Sequence, residues 1–275
     1  MTLSQALAAA LAQGLDRLDA QLLMLHALGR AGTDRAWLLA HDRDEISHAD
    51  QSRYRQFCER RGRGEPLAYI VGRKEFFGLD LKVDPRVLVP RPETETLVEW
   101  ALDVIGPRKG LSLADLGTGS GAIALSIKKH RPDVIVQGFD TSPDALVVAA
   151  ANAKALSLDV SFQCSSWLTG MTARYDLIVS NPPYIAQSDP HLAGLVHEPI
   201  NALSAGCDGL DDIRAIVAGA PDHLQPGGWL LLEHGWDQAA AVRGLLAAAG
   251  LVQVSSRCDL AGIERCSGGQ RLELG

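Results

Sequence analysis

Apolar residues recur at three- and four-residue spacing over the first part of the chain, which predicts helices. The leucines that set this spacing are Leu3, Leu7, Leu11, Leu15, Leu18, Leu22, Leu23, Leu25 and Leu28. They predict two amphipathic helices. A third helix is predicted from an N-cap at Thr33, and a fourth from Ser47 to the basic pair Arg60-Arg61. Together these elements predict a helical bundle over residues 1–64.

The pattern becomes β-like after residue 64. Residues 67–72 and 75–83 read as strand segments, with Gly78 as a turn, so a β-hairpin linker is predicted over residues 65–90. Prolines then stiffen the chain, and Pro92 suits the first turn of a helix that starts at Glu93. Residues 90–95 are interpreted either as a cofactor lid or as a structural proline bend.

From residue 111 onward, short apolar strands alternate with helical segments. The predicted strands are residues 111–116, 134–139, 160–164, 175–180, 229–233 and 251–255, with a last strand near residues 271–274. This alternation predicts an α/β fold with a mostly parallel, doubly wound sheet, assigned to residues 91–275.

Composition and charge narrow the class of protein. The 275 residues are 47% apolar and 21% charged, enough for one large core and a small satellite domain. A net charge of −7 argues against a broad nucleic-acid surface. Five scattered cysteines without a CxxC pair fit reduced thiols, and no apolar stretch approaches the length of a membrane span. A cytoplasmic protein without a membrane segment is therefore expected.

The strand predicted at residues 175–180 runs into Asn181-Pro182-Pro183-Tyr184. Neither proline can donate a hydrogen bond, and both have a fixed φ angle. The side-chain oxygen of Asn181 and the carbonyls of Asn181 and Pro182 would then form a rigid set of acceptors beside the flat face of Tyr184. Such a corner suits a planar NH2 group. The alternative is an ordinary turn, because Asn-Pro commonly opens one.

A glycine-rich turn follows the first predicted strand of the sheet. It consists of Gly117, Thr118, Gly119, Ser120 and Gly121 and precedes a helix, which suits a carboxylate or phosphate. Asp140 ends the second strand and could accept hydrogen bonds from a ribose diol, or could merely cap a helix. Trp167 could lie against an adenine ring, or could be a core residue. The turn lacks the G-x-G-x-x-G spacing of dinucleotide sites, so S-adenosylmethionine is favoured.

Several motifs together resemble the bacterial peptide chain release factor glutamine N5-methyltransferases, the PrmC/HemK family. They are residues 90–95, residues 115–121, Asn181-Pro182-Pro183-Tyr184, Glu198-Pro199 with Ala202-Leu203, Gly227-Gly228, Glu233-His234-Gly235, and the front segments Tyr69-Ile70-Val71-Gly72 and Glu75-Phe76. The match spans nearly the whole chain. Asn-Pro-Pro-Tyr alone would be unspecific, because enzymes that methylate amino groups of DNA and RNA share it.

The resemblance implies a Rossmann-like S-adenosylmethionine-dependent methyltransferase. Its substrate would be the glutamine of the Gly-Gly-Gln motif in class I release factors, and its coproduct S-adenosylhomocysteine. By position, the implied cofactor-binding residues are Gly117, Thr118, Gly119, Ser120, Gly121, Asp140, Trp167 and Asn181. The implied substrate-binding residues are Asn181, Pro182, Pro183 and Tyr184, of which Asn181, Pro182 and Tyr184 would be catalytic. Ser166 departs from the acidic residue that many relatives have before Trp167.

The chemistry expected at this corner is alignment of a weak nucleophile. Asn181 and the Pro182 carbonyl would accept the two amide hydrogens of the glutamine, and Tyr184 would stack on the amide and exclude water. No metal is required. Residues 266–270 spell Cys-Ser-Gly-Gly-Gln, interpreted as a coincidence in a terminal turn.

Three other functions compete with this interpretation. A glutamine methyltransferase acting on a ribosomal protein would share the core motif, and an adenine N6-methyltransferase would share the Asn-Pro-Pro-Tyr corner. The third is a non-enzymatic ribosome- or RNA-binding module. The expected partners are release factors, with no stable nucleic acid and no membrane, and the protein is expected to be a monomer.

Overall fold

The structure, a computed structural model, describes residues 1–273. The chain divides into two compact units, Met1–Arg73 and the remainder from Lys74. Each unit has its own apolar core.

The first unit is helical, as predicted. Its helices are α1 (Leu3–Ala12), α2 (Arg17–Ala27), α3 (Arg35–Ala40), α4 (His48–Gly62) and α5 (Leu67–Val71). Their apolar faces form one buried cluster around Leu3, Leu23 and Leu38. Burial of these faces, rather than helix propensity, supplies most of the stability of such short helices.

Side chains define where these helices begin. Thr2 and Gln5 form a reciprocal capping box at the start of α1, and Ser47 caps α4 by accepting the Asp50 N–H at 3.1 Å. The predicted N-cap at Thr33 is wrong. The Asp34 N–H donates to the Ala31 carbonyl at 3.0 Å, so a turn carries the chain one residue further before α3 begins.

The strand predicted at residues 67–72 is also wrong, because this segment forms α5. Pro66 precedes the helix, and Gly72 ends it with a left-handed φ of 72°. Ile70 lies in the helical core. A five-residue apolar run has no diagnostic periodicity, so its caps and its burial decide between strand and helix.

The basic residues near α4 are paired inside the first unit. The ion pairs are Arg53–Asp50, Arg55–Glu59, Arg60–Glu65 and Arg61–Asp19. Internal pairing neutralises these charges locally, as is usual on a solvated helix face.

The second unit opens with a hairpin. Strands β1 (Arg73–Phe76) and β2 (Leu79–Lys82) form a two-stranded sheet. The turn between them is Phe77-Gly78, with φ angles of 48° and 75°, so glycine at the second position is conformationally favourable. A short 3-10 turn at Pro92–Thr94 then leads into α6 (Glu95–Ile105), with Pro92 in the first turn as predicted.

The rest of the unit alternates strands and helices. These elements are β3 (Ser112–Leu116), α7 (Ala122–His130), β4 (Ile135–Asp140), α8 (Pro143–Leu156), β5 (Ser161–Cys164), β6 (Tyr175–Ser180), α9 (Asp211–His223), β7 (Leu224–Glu233), α10 (Ala239–Ala248), β8 (Val252–Cys258) and β9 (Glu264–Gln270).

Within the described residues, these strands form a seven-stranded sheet in the order β5-β4-β3-β6-β7-β9-β8. The first five are parallel to one another, and β9 pairs antiparallel with both β7 and β8. Two apolar clusters accompany the sheet, one including Leu113 and Val179, the other Leu116 and Ile178. This arrangement confirms the predicted mostly parallel α/β sheet with a helical front unit.

The predicted last strand is wrong, and so is the prediction that residues 266–270 form a terminal turn. Residues 271–273 have no regular structure, and Leu274 lies outside the described residues. The strand is β9, so Cys-Ser-Gly-Gly-Gln lies within the sheet and not in a terminal turn. A Cβ on Gly268 would lie 2.8 Å from the Leu230 carbonyl oxygen, so close packing requires glycine here. The Gln270 side-chain amide donates to the Gly227 carbonyl at 2.9 Å, so this amide is engaged in local packing of the sheet.

The part of the chain that the structure describes contains no helix with the length and apolar character that a membrane crossing demands.

Candidate active site

The glycine-rich turn, the Asn181 corner and Asp140 all lie at the same edge of the sheet. Strands β3, β4 and β6 are parallel neighbours, and Leu116 is level with Ser180. The turns that start at Gly117 and Asn181 therefore leave adjacent strands, and Asp140 ends the strand on the other side of β3. This is the edge at which open α/β sheets bind ligands.

The glycine-rich turn is held in a conformation that favours glycine. Gly117, Gly119 and Gly121 have φ angles of 68°, 54° and 82°. A Cβ on Gly117 would lie 3.3 Å from the Trp167 ring, and one on Gly121 would lie 3.0 Å from Leu125. The turn thus has a close aromatic neighbour on one side and helix α7 on the other.

Asp115 supports this turn from beneath. Its carboxylate accepts the Thr118 hydroxyl at 2.7 Å and the Ala124 N–H at 3.2 Å, and it is fully buried. Burial raises the pKa of Asp115 to about 7, against the lowering effect of these two hydrogen bonds. Asp115 therefore joins the end of β3, the turn and the start of α7.

Asp140 holds the turn from the side. Its carboxylate accepts the Gly119 N–H and the Ser142 N–H, each at 2.9 Å. The side chain that caps α8 is Ser142, which accepts the Ala145 N–H. A carboxylate has about four acceptor positions, so Asp140 retains capacity for two further donors.

Trp167 lies between the glycine-rich turn and α9. Its indole N–H donates to Asp212 at 3.0 Å, and its φ of 49° is unusual for a residue with a side chain. One hydrogen bond and the contact with Gly117 hold the ring in place. Both Trp167 and the preceding Ser166 line a cavity.

This cavity has a volume of about 530 Å³, within the usual range for small-molecule sites. Eight of the predicted site residues line it: Gly117, Thr118, Gly119, Ser120, Asp140, Trp167, Asn181 and Pro183. The proline-rich segment also contributes, through Pro85, Arg86, Val87, Leu88, Pro90 and Arg91. Gly121, Pro182 and Tyr184 do not line this cavity.

A second cavity of about 150 Å³ adjoins the corner after β6. Its lining residues are Leu88, Arg91, Asn181, Tyr184, Ile185, Leu195, Ala202 and Leu203. Asn181 is common to both cavities, together with Leu88, Arg91 and Ala202. A group in the smaller cavity and a ligand in the larger one would therefore meet at Asn181.

The Asn181 side chain has one defined partner. Its Nδ2 donates to the Thr94 hydroxyl at 3.2 Å, which leaves Oδ1 as the acceptor available to a ligand. Tyr184 is partly buried, and burial raises the pKa of its hydroxyl well above the usual value, so the phenol stays neutral. Its backbone carbonyl accepts the Gln238 side chain at 3.0 Å, which anchors the segment after the prolines.

The sequence reasoning assigned no individual role to three polar residues in or near this site: Thr94, Asp212 and Glu233. Thr94 belonged to the segment 90–95 interpreted as a lid or a bend, and Glu233 to a motif of the family resemblance. Asp212 lies at a helix start, where such residues are common and carry no special signal. Glu233 had a signal, because it directly follows the apolar run of β7 and is therefore buried at the ligand edge. Its carboxylate lies 3.5 Å from the Tyr184 hydroxyl.

Glu198 connects two segments that line the larger cavity. It forms an ion pair with Arg91 at 2.5 Å and accepts the Val89 N–H at 3.1 Å. The Glu198 side chain is 2% exposed and that of Arg91 is 35% exposed, so the carboxylate is shielded from solvent whereas the guanidinium is only partly shielded. These bonds connect the loop after Tyr184 with the proline-rich segment.

Glu198→Gln should increase amide hydrogen exchange in residues 185–203 by about tenfold, because the charge-assisted bond to Arg91 is lost. Hydrogen exchange followed by mass spectrometry measures this directly. The matched control is Glu264→Gln, which removes a half-exposed partner of Arg243 on the last strands and should leave that loop unchanged. Equal exchange in Glu198→Gln and the unaltered protein would show that the Glu198–Arg91 ion pair does not stabilise residues 185–203.

Comparisons with known proteins show the family of the chain. A family model described as the PrmC N-terminal domain matches residues 2–72, and one described as a methyltransferase small domain matches residues 97–235. The release factor glutamine methyltransferase of Xylella fastidiosa (strain Temecula1) is 49% identical over 269 residues, which is 96% of this chain and 97% of that protein. That of Bordetella pertussis is 51% identical over 260 residues, 93% of this chain and 95% of that protein.

Solved structures show the same fold at low sequence identity. A methyltransferase from Pyrococcus furiosus superposes with a TM-score of 0.56 and 20% identity, over 71% of this chain and 90% of that chain. A Thermus thermophilus 16S rRNA methyltransferase in complex with AdoMet and guanosine has a TM-score of 0.55 and 21% identity, over 72% of this chain and 49% of that chain. Sequence identity of about one half over almost the full length of these relatives establishes the family as well as the fold. The chain belongs to the release factor glutamine methyltransferase family.

Proposed function

We propose that this protein transfers a methyl group from S-adenosylmethionine to the side-chain amide nitrogen N5 of the glutamine in the Gly-Gly-Gln motif of class I release factors. Family membership confirms the predicted enzyme class and cofactor. The observation that carries the proposal at atomic level is the position of Asn181, whose free acceptor oxygen lies where the two cavities meet.

The residues of the larger cavity fit S-adenosylmethionine. We assign Asp140 to the ribose diol, because its carboxylate retains two acceptor positions beyond its backbone bonds. We assign the Trp167 face to the adenine ring, and the turn at Gly117 and Gly119 to the amino-acid end of the cofactor. Gly121 then acts indirectly, by its packing against α7.

In the reaction, the residues of this chain orient the poorly nucleophilic amide nitrogen of the glutamine toward the methyl group. Bound S-adenosylmethionine supplies an electrophilic sulfonium methyl group. The Asn181 Oδ1 and the Pro182 carbonyl accept the amide hydrogens of the glutamine, which orients the nitrogen lone pair. Tyr184 and Pro183 close the corner against water. One of the two amide hydrogens is lost as a proton when N5 gains the methyl group; that N–H becomes acidic as positive charge develops on the nitrogen, and the acceptor oxygens stabilise this charge. Alignment of this kind can be equivalent to about 10⁵ to 10⁸ M of reactant.

The two units have separate roles in this proposal. We assign the helical unit to recognition of the release factor and the sheet unit to catalysis, joined by the β1–β2 hairpin. The protein acts as a cytoplasmic monomer on a protein partner, without a stable nucleic-acid complex. The acidic net charge of −7 supports a protein substrate over a polyanionic one.

A chain that starts at Lys74 should bind S-adenosylmethionine with less than about a threefold change in Kd, yet methylate an intact release factor at least about tenfold more slowly. A short peptide that contains Gly-Gly-Gln is the matched control, because it lacks the surface that the helical unit would recognise. The truncated and full chains should methylate that peptide equally. Equal rates on the intact release factor would contradict the recognition role.

The function is tested by incubating the purified protein with S-adenosylmethionine and a class I release factor, followed by peptide mass spectrometry. The expected result is one added methyl group on the glutamine of Gly-Gly-Gln. A ribosomal protein and an adenine-containing DNA duplex serve as competing substrates in the same assay. Faster methylation of either competing substrate would contradict the proposed release-factor substrate. Failure to bind S-adenosylmethionine would contradict methyltransferase activity altogether.

A further inference from the structure

One carboxylate in the wall of the larger cavity has no role in the function described above. Asp212 lies in the first turn of α9, is partly buried, and lines the cavity together with Trp167 and Ser166. Among the described residues, the other carboxylates in this wall are Asp140, which we assign to the ribose diol, and Asp144, which is exposed in the first turn of α8. Of these three, the carboxylate that hydrogen-bonds Trp167 is Asp212.

Asp212 fixes the Trp167 ring at the edge of the indole. The indole N–H donates to Asp212 Oδ1 at 3.0 Å, and a Cβ on Gly117 would lie 3.3 Å from the six-membered part of the same ring. Trp167 has a φ of 49°, a conformation that a residue with a side chain keeps only where its surroundings enforce it. The next residue, Leu168, is buried and packs against α9, where a Cβ on Gly219 would lie 3.1 Å from it. The ring and the carboxylate are thus held at a fixed position relative to each other.

The hydrogen bond to Trp167 uses one of the two carboxylate oxygens of Asp212. Oδ2 keeps its acceptor positions, and an ionised carboxylate can only accept. Because the carboxylate lies at the edge of the indole, a second flat ring stacked on the indole face has this acceptor beside its own edge. Partial burial raises the pKa of Asp212, and Asp211 adds to the increase, whereas the Trp167 bond opposes it. A further donor on a ligand would stabilise the charged carboxylate.

A purine with a 6-amino group supplies the donor that this position can use. The exocyclic amino group is the hydrogen-bond donor of adenine. A 6-oxo purine places an acceptor at the same position, so two acceptors would then face each other. The Ser166 hydroxyl in the same wall cannot make this distinction, because a hydroxyl both donates and accepts.

We propose that Asp212 determines the specificity of the cofactor site for adenine, by accepting a hydrogen bond from the 6-amino group of the base on its Oδ2 atom. This inference rests on the proposed function, in which the larger cavity binds S-adenosylmethionine and Trp167 faces the adenine ring. It adds a residue that selects the base. The glycine-rich turn and Asp140 cannot do so, because they are assigned to parts of the cofactor that an analogue with another base shares.

The unaltered full-length protein gives the first test. Titration calorimetry compares its Kd for S-adenosylhomocysteine with its Kd for S-inosylhomocysteine, the analogue with a 6-oxo group in place of the 6-amino group. S-adenosylhomocysteine should bind at least about tenfold more tightly, because a site arranged to hydrogen-bond an NH group rejects the analogue that lacks it. Equal Kd values would overturn the inference without any variant.

Asp212→Asn separates selection of the base from the anchoring of Trp167. The indole N–H can only donate, so it holds the new side chain by its oxygen and leaves the NH2 group in the place of the second carboxylate oxygen. The anchor is therefore kept, while the acceptor for the base becomes a donor. The Kd for S-adenosylhomocysteine should rise about tenfold and that for S-inosylhomocysteine should fall, so the preference should be lost or reversed. Binding of S-inosylhomocysteine also shows that the variant is folded.

The matched control is Asp144→Asn, the same substitution at another carboxylate of the cavity wall. It should leave the ratio of the two Kd values unchanged. A ratio that changes in Asp144→Asn instead of Asp212→Asn would place the base at Asp144, and a ratio unchanged in both variants would restrict Asp212 to anchoring Trp167. Either result would overturn the inference.

Failure of the proposed function is a separate result. A protein that does not methylate a release factor contradicts the proposed substrate, but the ratio of the two Kd values still tests the role of Asp212. Failure to bind S-adenosylhomocysteine at all would contradict both.

Discussion

Asn181→Ala should lower the rate of methyl transfer to a release factor about 100- to 1000-fold, the usual cost of removing one preorganised polar group from a reacting centre. The same variant should bind S-adenosylmethionine with less than about a threefold change in Kd. Asn181 contributes one oxygen to the junction of the two cavities, whereas the larger cavity, which we assign to the cofactor, is also lined by the glycine-rich turn, Asp140 and Trp167.

Single-turnover kinetics and titration calorimetry on the same preparation give both quantities. Retained cofactor binding also shows that the variant is folded, so no separate stability argument is needed. Near-normal methyl transfer would remove Asn181 from the catalytic assignment. A large loss of cofactor affinity with unchanged turnover would make Asn181 a binding residue only.

Asp140→Ala should weaken S-adenosylmethionine binding about 100-fold. The variant would lose the assigned contacts to the ribose diol, and also the two 2.9 Å bonds that hold the Gly119 and Ser142 N–H groups. Charge-assisted hydrogen bonds contribute about 1.5 to 3 kcal/mol each, and about 1.4 kcal/mol corresponds to a tenfold change in Kd.

Titration calorimetry on the full-length protein measures this effect. Asp159→Ala is the matched control, because Asp159 is an exposed acidic residue just before β5 and away from the cavity lining. It should leave Kd unchanged. If Asp140→Ala and the control bind equally well, the diol is held elsewhere, and the alternative view of Asp140 as a support for local backbone gains weight.

Much of the fold could be predicted because its signals are local. The apolar runs of β3 and β6 are each followed within a residue by a glycine or an asparagine-proline turn, so both the strand and its end are visible in the sequence. The parallel order followed from the alternation of strands and helices. Membership of one family could be predicted because several separated motifs agreed.

The wrong strand predictions concern segments whose local sequence pattern does not distinguish strand from other structure. Residues 67–71 are an apolar run compatible with strand or helix, and only Pro66, Gly72 and burial in the helical core make it α5. Strand β9 contains Ser267, Gly268 and Gly269 and has no apolar run. Its strand state comes from pairing with β7 on one side and β8 on the other.

By itself, the sequence determined the class of fold and located the glycine-rich turn and the Asn181 corner to which we assign the cofactor and the substrate amide, since each is encoded within a few consecutive residues. Only the tertiary structure decided that Asn181 lines two cavities, and that the Thr94 hydroxyl accepts a hydrogen bond from its side chain. Thr94 and Asn181 come from two segments that lie 87 positions apart in the chain. Their contact depends on the register of parallel strands and on the packing of the 3-10 turn at Pro92–Thr94, and no short-range pattern specifies either.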